Sequence, residues 1–556
     1  MVFSLIKSIF SDKNTNEGIL YKQNKEIGKV EVKVKDDILI LGEDKIPIED
    51  MNRIEIQNKS LFFITKSQKY CFVSENTKEI YEVLHPLVNP HKILFETDKI
   101  KFYEFSKDSN MFEEIENNFF VKICEDLSHF YMILEASDHV DHYQQIKSST
   151  QYYMDKINNT FVWSVYKEKK FLTFSLKFLD NIEFLQFLTV FVECTYKSVN
   201  KDGEDSKFYE KMFIVDDLKD KTNEKDKQED NDWNKWDNDE KNKEMDKFTE
   251  DASNKHLIVD DANVFVTRGK AVGVFDTDLN FRTQIVDAFE NPRKIITHNE
   301  HQNLLAQCKK DELDLLDLEK GEVVEKWKIK DTNDFFNSKR NENSGTLVGI
   351  GDYSVFRIDP RTKEKIVESK EYKMKNEFSV GIATETGDVA VASAKGDLRL
   401  YNDVSKRAKS LINGFGDPII GIDASKDGKY VLCTCKSYIL LHYANENYAK
   451  ALGKSKMAPK RLQLKPQHLS MINSEINFTT AKFDNKDSYI VCSTGQYLIK
   501  WNVESVLKGN VYDYQIKTLY DSVVDENFVV NGEDIIVALP NDVKHVEAKG
   551  LRKPRF

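Results

Sequence analysis

Three copies of one strand–turn–strand unit in the C-terminal half constrain this chain more than any other feature. The first reads GDVAVASAKGDLRLY from Gly387 to Tyr401, the second YVLCTCKSYILLHY from Tyr430 to Tyr443, and the third YIVCSTGQYLIKWN from Tyr489 to Asn502. Each is a run of small and apolar residues, a tight turn, and a second apolar run ending at or beside an aromatic. One copy is a hairpin. Aligned copies, with Val389 and Tyr430 starting the first two 41 residues apart, are the mark of a blade repeat. Asp388, Asp397, Asp427 and Asp484 fall at turns, where a carboxylate bonds the backbone and glycine supplies positive φ, so they read as scaffold.

Strand-rich segments at 264–288, 293–330, 346–371, 377–411, 419–447, 480–507 and 514–541 predict a β-propeller over 256–545 with seven blades of about 40 residues, six being the alternative. The ring is expected to close by pairing Val264-Phe265-Val266 with Ile535–Leu539, which would remove open sheet edges. Upstream, in a predicted domain 1–90, residues 17–88 alternate apolar and polar with period two and end in a short helical pattern, Thr77–Leu87. Residues 95–200 repeat that plan. Strands such as IKFYEF (Ile100–Phe105) and the hairpin Phe161–Tyr166 with Phe171–Phe178 precede a helix in which Ile182, Leu185, Leu188, Phe191 and Val192 form the predicted buried stripe. Meanders closed by one C-terminal helix predict two small pleckstrin-homology-like barrels or rolls, so the fold class is mainly β.

Between them and the ring, residues 210–255 form an acidic linker, expected to be disordered. From Asp216 to Ala252 there are 15 acidic and 8 basic residues, which gives −7 of the chain's net −12. Such a segment buries too little apolar surface to offset its ordering entropy. Trp233 and Trp236 within it read as a docking motif or as loose packing on a neighbouring domain. The acidic balance argues against nucleic acid as partner. No stretch reaches the roughly 20 apolar residues of a membrane-spanning helix, and MVFSLIKSIF at the start carries Lys7 inside its apolar run and no cleavage site, so it is not a secretory signal. The seven cysteines are scattered and fit neither a redox nor a zinc spacing, which predicts a cytoplasmic protein.

No catalytic, metal or cofactor set emerges. His139/His142 and His298/His301 have HxxH spacing without the glutamate of a zincin helix, and Gly269-x-x-x-Gly273 is followed by a strand where a nucleotide loop needs a helix. The best candidate partner-binding region is the long insertion between Asn445 and Ala481. From Ala451 to His468 it carries Lys454, Lys456, Lys460, Arg461 and Lys465 and no acidic residue. It reads as a site for an acidic partner or phosphopeptide, for anionic lipid, or for the chain's own acidic linker, a flexible tether keeping local concentration on the order of millimolar; a solvated loop is the bland alternative. Asp417, in the inter-blade turn Gly416-Asp417-Pro418, is a further contact candidate or a rigid crossover turn. The basic tail 546–556, with Lys544 just ahead of it, is expected to fray.

Several runs resemble one family, the vacuolar import and degradation protein 27 family. They are VFVTRGKAVGVF (Val264–Phe275), DPR (Asp359–Arg361), AKGDLRLY (Ala394–Tyr401), GDPIIGIDASKDGKYVLCTCKSYILL (Gly416–Leu441), PKRLQLKPQH (Pro459–His468), STGQYLIKWN (Ser493–Asn502), VVDENFVV (Val523–Val530) and IIVALP (Ile535–Pro540). The N-terminal half matches in plan only. The resemblance implies a WD40-like propeller in a cytoplasmic protein linked by name to delivery of cytosolic enzymes for vacuolar degradation, and it transfers no catalytic residue. The reading is a non-enzymatic scaffold or adaptor with protein partners. Membrane recruitment through the two N-terminal domains is the alternative, although Lys107-Asp108-Ser109-Asn110 lacks the cation cluster of a phosphoinositide loop. A hydrolase in the propeller channel is the third reading.

Overall fold

The computed structural model describes residues 17–199 and 241–554, apart from 24, 36–37, 48–50, 58–59, 66–67, 75–76, 78–79, 82–83, 85–91, 127–128, 137–138, 300, 341–344, 445–447, 449–457, 473 and 530–531. Trp233, Trp236, Lys454 and Lys456 therefore lie outside the described residues, as does the MVFSLIKSIF start.

The first unit is a seven-stranded antiparallel sheet in the order Asp44–Pro47, Ile38–Leu41, Lys25–Lys35, Glu17–Lys22, Lys69–Val73, Ser60–Thr65, Met51–Gln57. Period-two alternation puts Leu20, Val32, Leu39, Phe63 and Phe72 on one face, where Ile80 and Leu84 cover them.

The second unit stacks a five-stranded sheet (Met111–Glu114, Ile100–Ser106, Lys170–Phe178, Thr160–Lys167, Gln151–Asp155) against a four-stranded one (His139–Gln145, His129–Ala136, Phe119–Asp126, Lys92–Thr97). Helix α1, Asn181–Lys197, closes it, with Asp180 accepting the amides of Ile182 and Glu183 as N-cap. The stripe that α1 buries is rotated from the expected one. Phe184, Phe187, Leu188, Phe191 and Val192 point inward, while Ile182 and Leu185 are exposed. The helix carries apolar residues almost all round, and the phenylalanines win the interior because rings bury more area. Phe187 alone meets Phe95, Phe161 and Phe178 at 5.7, 5.1 and 4.9 Å.

Seven sheets follow among the described residues, six of four strands and a last one of three. Their first strands (Asn254–Val259, Lys294–His298, Asp334–Asn337, Phe378–Ala383, Gly421–Ala424, Lys482–Phe483, Asp525–Phe528) adjoin in chain order, and the last blade adjoins the first. The ring is a seven-bladed propeller. Its second and third strands are apolar without alternation because both faces are covered, as in Val389–Ser393, where every residue is buried.

Three expectations are corrected. Val264–Arg268 is the second strand of the first blade, paired with Asn254–Val259 and Ala271–Phe275, and not a partner of Ile535–Leu539. Tyr514–Thr518 is the fourth strand of the sixth blade, pairing with Tyr497–Asn502. The tail does not fray up to Lys553: Ile516 and Arg552 exchange both backbone bonds at 2.8 and 3.0 Å, and Lys553 reaches Asp513 at 2.6 Å. Lys544 lies buried inside the last strand, Asp542–Val546.

Side chains and apolar packing close the ring in place of a shared strand. Asn254 donates its amide to Pro540 O at 2.7 Å and its Nδ2 to Leu539 O at 2.8 Å, while Met245 and Phe248 pack against Ile536 and Val543. One carboxylate arrangement recurs at the third, fifth and seventh blades. Asp334 accepts Gly381 N at 3.0 Å and Lys294 Nζ at 2.7 Å. Asp423 accepts Phe483 N at 2.8 Å and Arg340 at 2.9 Å. Asp525 accepts Leu257 N at 3.0 Å and Lys482 Nζ at 2.7 Å. In each case one oxygen holds the next blade's first strand and the other neutralises a cation, so neither charge is left bare.

Candidate functional site at the seam between the two-sheet unit and the ring

The described part of the insertion between Asn445 and Ala481 is largely buried and holds a strand and a helix. Lys460–Leu462 forms the fifth blade's fourth strand, pairing with Ile439–Tyr443, and α2, Pro466–Met471, follows it. Proline at the first helical position suits α2, because its missing N–H is one no helix start can use. Phe171 of the two-sheet unit packs among Leu469, Ile472 and their neighbours. Ser164 and Thr173 both donate to Pro466 O, at 3.1 and 2.9 Å.

Arg461 sits at the centre of this seam, 4% exposed. Its guanidinium lies over the Tyr438 ring of the propeller at 4.3 Å and the Tyr152 ring of the two-sheet unit at 5.6 Å, and Nη2 points to Thr150 O at 3.5 Å. A weakly hydrated, planar cation is suited to such a sandwich. Asp417 belongs to the same cluster, since Tyr438 donates its hydroxyl to Asp417 Oδ2 at 2.7 Å. Burial pushes the Tyr438 and Tyr152 hydroxyls well above the ordinary tyrosine range, so both stay neutral. Gln151 donates to Ser437 O at 3.0 Å, and Gln463 to Tyr152 O at 2.6 Å. Next to Asp417, Gly416 (φ +81°) has Val199, just past the end of α1, pressed where a Cβ would stand. The Gly416-Asp417-Pro418 turn is therefore a seat for the two-sheet unit.

The structure thus joins Asp417 and Arg461, which the sequence offered separately. Lys460 and Lys465 lie half-buried at the margin, Lys465 Nζ being 5.5 Å from the Tyr153 ring centre. Sequence reasoning missed Tyr152, Tyr438, Gln463 and His468. His468 bonds Tyr514 through Nδ1, and burial, aided by Lys465, pushes its pKa down to about 3. The signal for Gln463 and His468 was the stretch LQLKPQH, Leu462–His468, which sets two glutamines and a histidine among leucines beside the lysines; Tyr152 and Tyr438 lie outside it and carried no such signal.

The described residues contain no group of three or more metal-ligating side chains. His142 is packed between Phe102 and Phe174, and burial pushes its pKa down to about 4; the side chain of His139 lies outside the described residues. His298 packs on Trp327, whereas His301 points to Asp260 at 3.5 Å. No described helix is long and apolar enough to cross a membrane.

The family model for the VID27 C-terminal WD40-like domain matches residues 252–555. Vacuolar import and degradation protein 27 of Schizosaccharomyces pombe is 36% identical over 333 residues, 52% of this chain and 41% of that protein. Its namesake in Saccharomyces cerevisiae is 33% identical over 334 residues, 52% of this chain and 43% of that protein. The matched region thus spans about two fifths of either relative. Among solved structures, the Myceliophteria_thermophila Cps50 (Swd1) beta-propeller domain aligns with 53% of this chain and 96% of its own at 10% identity, with a TM-score of 0.41. With a family model covering more than half its length, and with that model's WD40-like domain present as a seven-bladed ring, this chain belongs to the VID27 family.

Proposed function

We propose that the chain is a non-catalytic cytoplasmic adaptor in vacuolar import and degradation, with the propeller as its protein-binding platform. The observation that carries this reading is the seam. The two-sheet unit is fixed to the fourth, fifth and sixth blades through buried Arg461, α2 and the Gly416 turn, so it presents the remaining blades in a constant orientation. The name of the fungal relatives supplies the process. The two N-terminal units are read as pleckstrin-homology-like modules, a reading supported by a strand meander closed by α1 in the second of them. Lys460 and Lys465, at the edge of the seam, are proposed contact residues.

The test is proximity labelling from the full chain in cells, coupled to turnover measurements. Cytosolic proteins labelled by the chain are expected to reach the vacuole more slowly when it is deleted, and K460E/K465E is expected to reduce their labelling. Unchanged vacuolar turnover of every labelled protein overturns the reading.

Membrane recruitment has one observation in its favour: Leu179, Ile182 and Leu185 expose their side chains together at the start of α1. Flotation of the full chain with anionic vesicles, lost in I182D/L185D, would favour that reading over the adaptor.

A further inference from the structure

Lys482, on the first strand of the sixth blade, lies among three carboxylates: Asp525 and Glu526 of the seventh blade and Asp423 of the fifth. Two of these are matched with cations. Arg340 takes Asp423 at 2.9 Å, and Lys482 takes Asp525 at 2.7 Å. The Lys482 ammonium also donates to the backbone carbonyl of Glu526, at 2.6 Å. The Glu526 carboxyl, 0% exposed on the strand Asp525–Phe528, is the acid left over.

The other groups that face this carboxyl are neutral. Thr479 Oγ1 donates to Oε1 at 2.6 Å, and the Ser493 hydroxyl lies against the same carboxyl. Burial keeps the Cys492 thiol protonated. Beyond Asp525 and Lys482 stands His256 of the first blade, whose pKa burial lowers, which favours its uncharged form. A carboxylate enclosed without a cation of its own is costly, and a proton removes the charge in place. Hydroxyl neighbours serve both states, because each can donate to the anion or accept from the acid.

Thr479 joins this acid to the rest of the sixth blade. Its hydroxyl accepts Ser493 N at 2.7 Å, and its amide donates to Ser493 O at 2.9 Å. The connection 476–481 to which it belongs is held on its other side by the fifth blade. There Phe478 N donates to Lys436 O at 2.9 Å and Ala481 N to Thr434 Oγ1 at 3.0 Å. Ile476 and Phe478 pack in one cluster with Leu469 and Ile472, at the end of α2, and with Phe171 of the two-sheet unit. Direct contacts thus run from Glu526 through Thr479 to the seam.

We propose that Glu526 is the proton-binding group of a pH switch, which holds the connection 476–481, and with it α2 and the two-sheet unit, tightly on the ring when protonated and loosely when ionised. Protonated, Glu526 leaves Thr479 and Ser493 undisturbed. Ionised, it calls for more donors than two hydroxyls supply, so water enters between the sixth and seventh blades and the Thr479–Ser493 pairing opens more often. Burial raises the pKa of Glu526 to about 7, so the hold is strong on the acid side and is lost as pH rises through that value. The switch does not rest on the adaptor reading, since every contact in it lies within the chain.

Two measurements on the full chain test it. Infrared difference spectra from about pH 6 to about pH 8 should lose the C=O stretch of a protonated carboxylic acid, and Glu526→Gln should lack that change. Hydrogen exchange at Phe478, Thr479, Ala481 and α2, corrected for its intrinsic pH dependence, should speed up about tenfold over the same range. Exchange at Val389–Ser393 should not respond. In Glu526→Gln the connection and α2 should stay slow at both pH values. Thr479→Val removes the hydroxyl between the acid and the connection, so it should keep the infrared titration and lose the response of exchange. The proposal is overturned by an infrared change that survives in Glu526→Gln, or by corrected exchange in the parent that ignores pH. A parent-like exchange response in Glu526→Gln or in Thr479→Val overturns it as well.

Discussion

Leu257 and Asp525 are 268 positions apart, and the amide of Leu257 donates to Asp525 Oδ2 at 3.0 Å. The other oxygen of Asp525 takes Lys482 Nζ at 2.7 Å, so a single carboxylate joins the first, sixth and seventh blades. Burial works to lower the pKa of Lys482, but Asp525, Glu526 and Asp423 outweigh it and the ammonium stays charged.

Asp525→Ala removes the partner of a largely buried cation and orphans the Leu257 amide. A loss of about 2–4 kcal/mol is expected, read as a lower urea midpoint. Ala substitution of Asp521, half-buried on a nearby connection and bonded to the adjacent Ser522 amide, should move the midpoint by less than about 0.5 kcal/mol.

Glu526 is wholly buried beside that pair, with Thr479 Oγ1 donating to Oε1 at 2.6 Å. Burial pushes its pKa up to about 7, against the pull of Lys482. A folded-state pKa above the unfolded value means the folded chain binds the extra proton. The contribution of Glu526 to stability is therefore fully present below about pH 4.5 and falls as pH rises toward about 7. Glu526→Gln should abolish this slope and be more stable than the parent at pH 8, by on the order of 1 kcal/mol, in chemical denaturation at several pH values.

Arg461→Ala should loosen the seam without opening the ring. Expected are a melting temperature several degrees lower and faster hydrogen exchange at Thr150–Asp155, with exchange at Val389–Ser393 unaffected. Arg461→Lys should recover less than half of the loss, because an ammonium cannot lie flat between Tyr438 and Tyr152.

Gly416→Ala places a methyl group on the Val199 side chain at a backbone φ of +81°. A destabilisation of about 1–3 kcal/mol is expected. Val199→Ala should restore only the steric part of it, measured as a double-mutant cycle of melting temperatures, since the left-handed backbone still disfavours alanine.

The strands visible in the sequence were those buried on both faces. Val389–Ser393, Tyr430–Thr434 and Tyr489–Thr494 are continuous apolar runs because neighbouring blades cover them on either side. Outer strands carried no such signal. Ile366–Glu371 is exposed along nearly its whole length, and Lys460–Leu462 is three residues hidden in a basic stretch. For the same reason the apparent insertion concealed a strand and a helix. Arg461 looked solvated because its partners Thr150 and Tyr152 come from some 300 positions upstream, where no local pattern points. The acidic composition of 216–252 was legible in full.

Closing the ring through Asp525 also fixes an order of events during synthesis. Blade one is complete as soon as Ile285 has been made, yet its Leu257 amide waits for a residue 268 positions later. At about 5–20 residues per second, that interval is on the order of tens of seconds. For that time the nascent chain carries an open arc in which Asn254–Val259 lacks its seventh-blade neighbour, so the first blade is where a ribosome-bound chaperone would be needed.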